Sequence, residues 1–204
     1  MMQLGHVLYK TTNLKLAVET FRKKGFRVEF GSNSKPHNAL IYFSEGPYIE
    51  LLEKAPIARW KLSLLRLLRK AKVAERLEQW EKADEGFFEI CLETYENNFK
   101  RVEEVLVQHK QSFFVTQSKR LDPQNRQLRW KLLFPYELQL PFMMTYFNID
   151  PKPADFVHPN GIRKIKSVRY SFDSELSRIF RLICTDSLLE LNEKKTAIQV
   201  FYTT

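Results

Sequence analysis

A chain of 204 residues with 44% hydrophobic and 13% aromatic content can bury roughly 70% of its unfolded surface, which excludes an intrinsically disordered polymer. No run approaches the roughly 20 apolar residues of a membrane span, and MMQLGHVLYKTT lacks the basic-then-apolar order of a secretory leader, so a cytoplasmic protein is expected. The net charge of +9 raises the question of nucleic acid, but about two-thirds of it lies in residues 54–82, where nine Lys and Arg face only Glu75, Glu78 and Glu81. Because the excess is local, nucleic acid and a membrane surface rank below a small molecule as partners, and a homodimer stays open.

LGHVLYKTT alternates like a strand. NLKLAVETFRKKG follows with Leu14, Ala17, Val18 and Phe21 at helical spacing, Asn13 placed to cap its start and Gly25 its end. FRVEFGS, NALIYF and YIELLE read as three strands, the last two joined at SEGP. The next segment, APIARWKLSLLRLLRKAKVAERLEQWEK, predicts one or two amphipathic helices, which pack on the sheet with a solvated basic face, form a lid over a pocket, or bind anionic lipid or another acidic partner.

The first order then recurs. GFFEICLET predicts a strand and NNFKRVEEVLVQHK a helix, followed by strands at QSFFVTQSK, RQLRWKLLF and LPFMMTYF. A shorter β-α-β-β run spans IRKIKSVRYSF, SELSRIFRLI, SLLELNE and TAIQVFYTT, after the proline-containing link NIDPKPADFVHPNG. An internal repeat constrains a fold more than any single motif. The expected class is α+β: paired βαβββ modules forming a cupped mixed sheet, with an inserted helix and a C-terminal β-α-β-β element. The expected domain spans 1–150, with modules at 1–53 and 85–148 and a basic helical insertion at 54–84; residues 151–204 form a partial module packed on it.

Glu50 stands between Ile49 and Leu51 in an otherwise apolar strand. A buried carboxylate is costly, so it needs a metal, a cation or hydrogen-bond donors. With SEGP closing the hairpin, Phe43 faces Tyr48 and Ile41 faces Glu50. That register puts His37 on the face of Glu50 but about 13 Å along the sheet at roughly 3.3 Å per residue, so it reads as a cavity residue, with a share in a metal site requiring a bulge or a curved sheet. Asn38 then points the other way, unless the strand starts after it. Cys91 and Cys184 each sit in apolar runs and read as buried thiols. His109 near a helix end and His158 before Pro159 read as structural residues first. No phosphate loop, Cys-x-x-Cys, His-Glu-x-x-His or Gly-x-Ser-x-Gly motif is present.

GHVLYKTTNLKLAVETFRKKGFRVEFG, HNALIYFSEGPYIELLE, RLDPQNRQLRWKLLFP, LPFMMTYFN and HPNGIRKIKSV together resemble the glyoxalase-like branch of the vicinal-oxygen-chelate superfamily. That superfamily includes glyoxalase I and the extradiol dioxygenases. The resemblance implies a metal held from the first and last strands of each module. In the first module these positions are His6 and Glu50, with Glu50 also the catalytic candidate. In the second they fall near Phe87 to Glu89 and at Phe142, offering at most Glu89 as a ligand. His37, Tyr48, Trp130 and Phe142 are the substrate-binding candidates, with Phe87 a further cup aromatic. Two functions follow as expectations. One is a divalent-metal-dependent lyase, isomerase or dioxygenase on a small oxygen-rich substrate, using zinc, iron, nickel or manganese. The other is a metal-free small-molecule binding protein on the same fold.

Overall fold

The computed structural model describes residues 1–55, 57, 59–153, 157–171, 174–192 and 197–203. The first module runs β1 (Gln3–Lys10), α1 (Leu14–Lys23), β2 (Glu29–Phe30), β3 (Asn38–Ile41) and β4 (Tyr48–Leu52). Two helices follow, α2 (Arg59–Leu67) and α3 (Ala71–Lys82). The second module runs β5 (Gly86–Thr94), α4 (Lys100–Gln108), β6 (Phe113–Leu121), β7 (Gln127–Pro135) and β8 (Phe142–Thr145). The chain ends in β9 (Lys164–Ser171), α5 (Ser174–Ile183), β10 (Leu189–Asn192) and β11 (Gln199–Thr203).

Both modules enter one eight-stranded sheet of order β2-β3-β4-β1-β5-β8-β7-β6. Each half has the same pairing: its first and last strands are parallel neighbours, and the halves join through antiparallel β1 and β5. This is the expected pair of βαβββ modules. The last unit has the expected β-α-β-β order but a different pairing. β10 lies parallel beside β9 and β11 antiparallel on its other side, whereas in the modules the strand after the helix sits at the sheet's far edge.

Alternation along the strands divides the core into two layers. Val7, Ile49, Leu51, Ile90, Leu92 and Met143 face outward, against α1, α4 and the C-terminal unit, which contributes Ile165, Val168, Ile179, Phe180 and Ile183. Leu8, Cys91, Phe134, Phe142 and Met144 face inward, against Val73, Ala74, Leu77 and Trp80 of α3. Each large apolar side chain so buried contributes about 1.5–3 kcal/mol. Helix α3 therefore packs into the hollow of the cup.

Local chemistry sets the ends of α1. Asn13 Oδ1 accepts the Leu16 amide at 3.1 Å. At the other end the Gly25 and Phe26 amides return to the Arg22 and Phe21 carbonyls at 2.9 and 3.1 Å, with the Phe21 and Phe26 rings 5.9 Å apart. Gly25 has φ +81°, and a Cβ there would lie 2.7 Å from the Asn160 Cβ. Asn160 also donates to the Lys24 carbonyl at 2.9 Å, so the link to the C-terminal unit docks on this cap. No helix among the described residues is long and apolar enough to cross a membrane.

Candidate functional site

Between the inner face of the sheet and helices α2 and α3 lies a cavity of about 510 Å³. His6, Glu50, His37, Tyr48, Trp130 and Phe142 all line it. Its walls are otherwise mostly apolar, including Leu65, Leu77, Trp80 and Phe134, with Lys61, Lys119 and Arg120 as the cationic lining residues. This matches the common form of a small-molecule site, apolar with a few convergent polar groups.

The polar centre is built from three strands. Parallel pairing sets His6 beside Tyr48 and Leu8 beside Glu50. The His6 ring stacks on Tyr48 at 4.6 Å and meets the Phe142 ring edge-on at 5.8 Å. Its Nε2 is 3.4 Å from Glu50 Oε2. Asn38 Nδ2 donates to Glu50 Oε1 at 2.7 Å. Burial drives the His6 pKa down to about 3, so the imidazole is neutral at pH 7. Burial also pushes the Glu50 carboxyl above its usual range, opposed by the Asn38 amide and the charge of Arg120. The Glu50 side chain keeps 18% of its surface accessible. The result is a carboxyl biased toward protonation at a cavity wall, beside a neutral imidazole.

The hairpin register differs by one residue from the sequence expectation. Leu40, not Ile41, faces Glu50. A one-residue slip moves every side chain to the other face, so Asn38 joins Glu50 inside the cup. The cause lies in the turn. β3 ends at Ile41, and Phe43 leaves the ladder to pack edge-on against Phe26 and His158 in the outer core. His37 sits just before β3, where its carbonyl accepts the Glu53 amide at 3.0 Å, and burial lowers its pKa. Asn38 also needs space from Gly31, where a Cβ would lie 2.0 Å from the Asn38 Oδ1.

The second module differs from the first at the matching places. Cys91 pairs with Phe142 and Glu93 with Met144, as His6 pairs with Tyr48 and Leu8 with Glu50. The counterpart of His6 is thus Cys91, and that of Glu50 is Met144. Cys91 also lies directly across from His6 at the module junction. Its thiol is held well above the usual range by burial and donates to the Leu92 carbonyl at 3.3 Å. Glu89, expected as the one further ligand, instead binds Arg76 at 3.0 Å. Phe87 is not a cup aromatic. The extra residue Phe88, at the register shift between Leu8 and Tyr9, turns Phe87 outward onto Tyr9, 5.2 Å away. Among the described residues no group of three or more His, Cys, Asp or Glu is arranged to hold a metal ion. His6 and Glu50 are two donors of the three or four that a resident transition-metal ion needs, so the donor set does not fit such an ion.

Two side chains matter here that sequence reasoning set on the wrong face or left unremarked. One is Asn38. The other is Arg76, 1% exposed, which donates to Glu89 and to the carbonyls of Pro135, Glu137 and Leu140. The signal for Arg76 was present. It shares the stripe of Val73, Leu77 and Trp80, so a charge stood on the apolar face of a helix. His158 and His109 serve local structure. His158 Nδ1 accepts the Arg27 amide at 3.0 Å, and His109 follows α4 with Nδ1 2.9 Å from the Val105 carbonyl.

A cup of two βαβββ modules with its polar residues on the inner strands defines the vicinal-oxygen-chelate class. A family model described as a glyoxalase-like domain matches residues 4–178, most of the chain. The protein belongs to that family. Among solved structures, a hypothetical protein from Staphylococcus aureus is 16% identical, with TM-score 0.66, covering 98% of this chain and 91% of its own. This likeness shows the fold. A Streptomyces coelicolor methylmalonyl-CoA epimerase variant in complex with 2-nitronate-propionyl-CoA is 14% identical, with TM-score 0.43, covering 70% and 94%. A variant of glyoxalase I from Zea mays is 10% identical, with TM-score 0.41, covering 90% and 53%. No curated protein matches the sequence.

Proposed function

We propose that the cup binds a small, largely apolar molecule bearing oxygen acceptors, without a resident metal ion, and that Glu50 meets its polar end. The observation that carries this reading is the Glu50 carboxyl, raised in pKa and fixed by Asn38, on the wall of an aromatic cavity. A protonated Glu50 donates to a carbonyl or ether oxygen. An ionised Glu50 takes a proton from a bound acid, the general acid–base role such carboxyls fill. His6, neutral and stacked on Tyr48, positions Glu50 Oε2. Tyr48, Phe142 and Trp130 supply apolar contact, and His37 offers a second polar group from the loop before β3.

The test combines metal content with cavity occupancy. Protein grown with zinc, iron, nickel and manganese is expected to carry less than stoichiometric metal by elemental analysis. Anilinonaphthalene sulfonate is expected to bind with one-to-one stoichiometry and to quench the cavity tryptophans Trp80 and Trp130. Phe142→Ala should weaken that binding. One tightly held ion per chain, lost in both His6→Ala and Glu50→Gln, would overturn the metal-free reading in favour of the metal-dependent enzyme. Dye binding unchanged by Phe142→Ala would remove the cavity from the argument.

A further inference from the structure

Helix α2 carries apolar residues on two sides. Leu62 is buried and Leu65 lines the cavity. On the other side Trp60, Leu64 and Leu67, continued by Leu68 just past the helix end, at spacings i, i+4, i+7 and i+8, are 65%, 43%, 80% and 54% exposed. That spacing makes one continuous stripe. A run of large apolar side chains this exposed marks an interaction surface and not ordinary surface scatter.

Around the stripe stand the exposed cations Lys61, Arg66, Arg69 and Lys72. The acids that oppose them in sequence are engaged. Glu78 pairs with Arg66, Glu75 with Lys72 at 2.9 Å, and Glu81 accepts the Ala55 amide at 2.8 Å. Arg66 and Lys72 are thus balanced by those carboxylates, and the positive charge beside the stripe rests on Lys61, whose Nζ lies 5.5 Å from the Trp60 ring, and on Arg69.

From this arrangement we infer that α2 docks the protein on an anionic lipid bilayer, lying in the interface with Trp60 and Leu67 inserted and the cations among the headgroups. The pattern is that of an interfacial helix, apolar on one side and basic at its borders. A second copy of the chain fits less well. A two-fold interface would set this cationic rim against itself, and Lys is depleted from protein interfaces. Nucleic acid fits less well too, since single-strand sites present aromatic rings for stacking, and three of the four stripe residues are leucines. The inner side of α2 lines the cavity, so docking sets one cavity wall at the membrane, where an apolar ligand partitions.

Co-sedimentation of the full chain with vesicles provides the test. Binding is expected to phosphatidylcholine vesicles containing phosphatidylglycerol and not to phosphatidylcholine alone. It should fall steeply between roughly 0.05 M and about 0.5 M salt. The double variant Lys61→Gln/Arg69→Gln should lose about 25-fold in partitioning, at roughly fivefold per cation. Trp60→Gln/Leu67→Glu should abolish binding with an unchanged far-ultraviolet spectrum and melting temperature, because both residues are exposed. Absence of binding to phosphatidylglycerol vesicles at low salt would overturn the inference. So would binding that survives Trp60→Gln/Leu67→Glu. A dimer in analytical ultracentrifugation that Leu67→Glu dissociates would assign the stripe to a second copy instead, and tighter retention on duplex DNA than on vesicles would assign the basic rim to nucleic acid.

Discussion

His6 and Glu50 titrate in opposite directions, and stability should record both. The folded-state pKa of His6 is depressed to about 3, below an unfolded value of about 6.5. Between those values the unfolded chain binds the extra proton, so stability falls as pH drops through that window, by at most about 1.4 kcal/mol per pH unit from this one group. In His6→Phe, which keeps an aromatic ring beside Tyr48, the urea midpoint should lose that component between pH 6.5 and 4. Glu50 is raised, so its contribution is present below the unfolded carboxyl pKa and is lost as pH rises through the folded value. Glu50→Gln should therefore gain stability at pH 8, on the order of 1 kcal/mol, and little at pH 4. Equal gains at both pH values would show that burial does not perturb this carboxyl. Such a gain is what a functional residue retained at a cost in stability produces. Sequence reasoning put Asn38 on the wrong face because both faces of β3 are buried, which left the register to be guessed from the turn. Asn38, Ala39, Leu40 and Ile41 are all buried, so no alternation marked the inner face.

At the scale of elements, α3 is held by one buried charge pair and a set of carbonyls. Removing one partner of a buried pair leaves the other unsatisfied, which costs about 3–5 kcal/mol. Arg76→Met should lower stability by that amount in a denaturant titration, and Glu89→Leu added to it should restore most of the loss. Failure of the second change to rescue would show that the Pro135, Glu137 and Leu140 carbonyls, not Glu89, dominate. Helix α1 was legible almost to its caps, since Asn13 and Gly25 announce them. Gly25→Ala should cost at least about 1–2 kcal/mol from the left-handed backbone, with more from the Asn160 contact, as read by thermal unfolding. The break between α2 and α3 was less legible. Arg69, with φ +58°, ends α2 in a conformation usually left to glycine, and no glycine or proline stands there to signal it.

At the scale of the molecule, the two modules are alike in pairing and unlike in chemistry. The first supplies His6 and Glu50, and the second supplies Cys91 and Met144 in the matching places. Cys91→His with Met144→Glu should therefore create a four-donor set. That variant is expected to bind one divalent ion per chain by elemental analysis, at about 1–3 kcal/mol of overpacking strain around the buried Cys91 position. If it folds and takes up no ion, the correspondence between the modules fails.

The sequence by itself determined the element order, the duplication, the caps of α1 and the isolated carboxyl of Glu50, whereas His6 entered as its candidate partner only through the family resemblance. Period, turn residues and an isolated carboxyl in an apolar strand are local signals, and local signals survive in one dimension. Only the tertiary structure decided the hairpin register, the bulge that turns Phe87 outward, the pairing of Arg76 with Glu89, and the closing of the cup by α3. Each of these depends on which distant surface covers a residue. In a sheet buried on both sides, that information leaves no periodic trace along the chain.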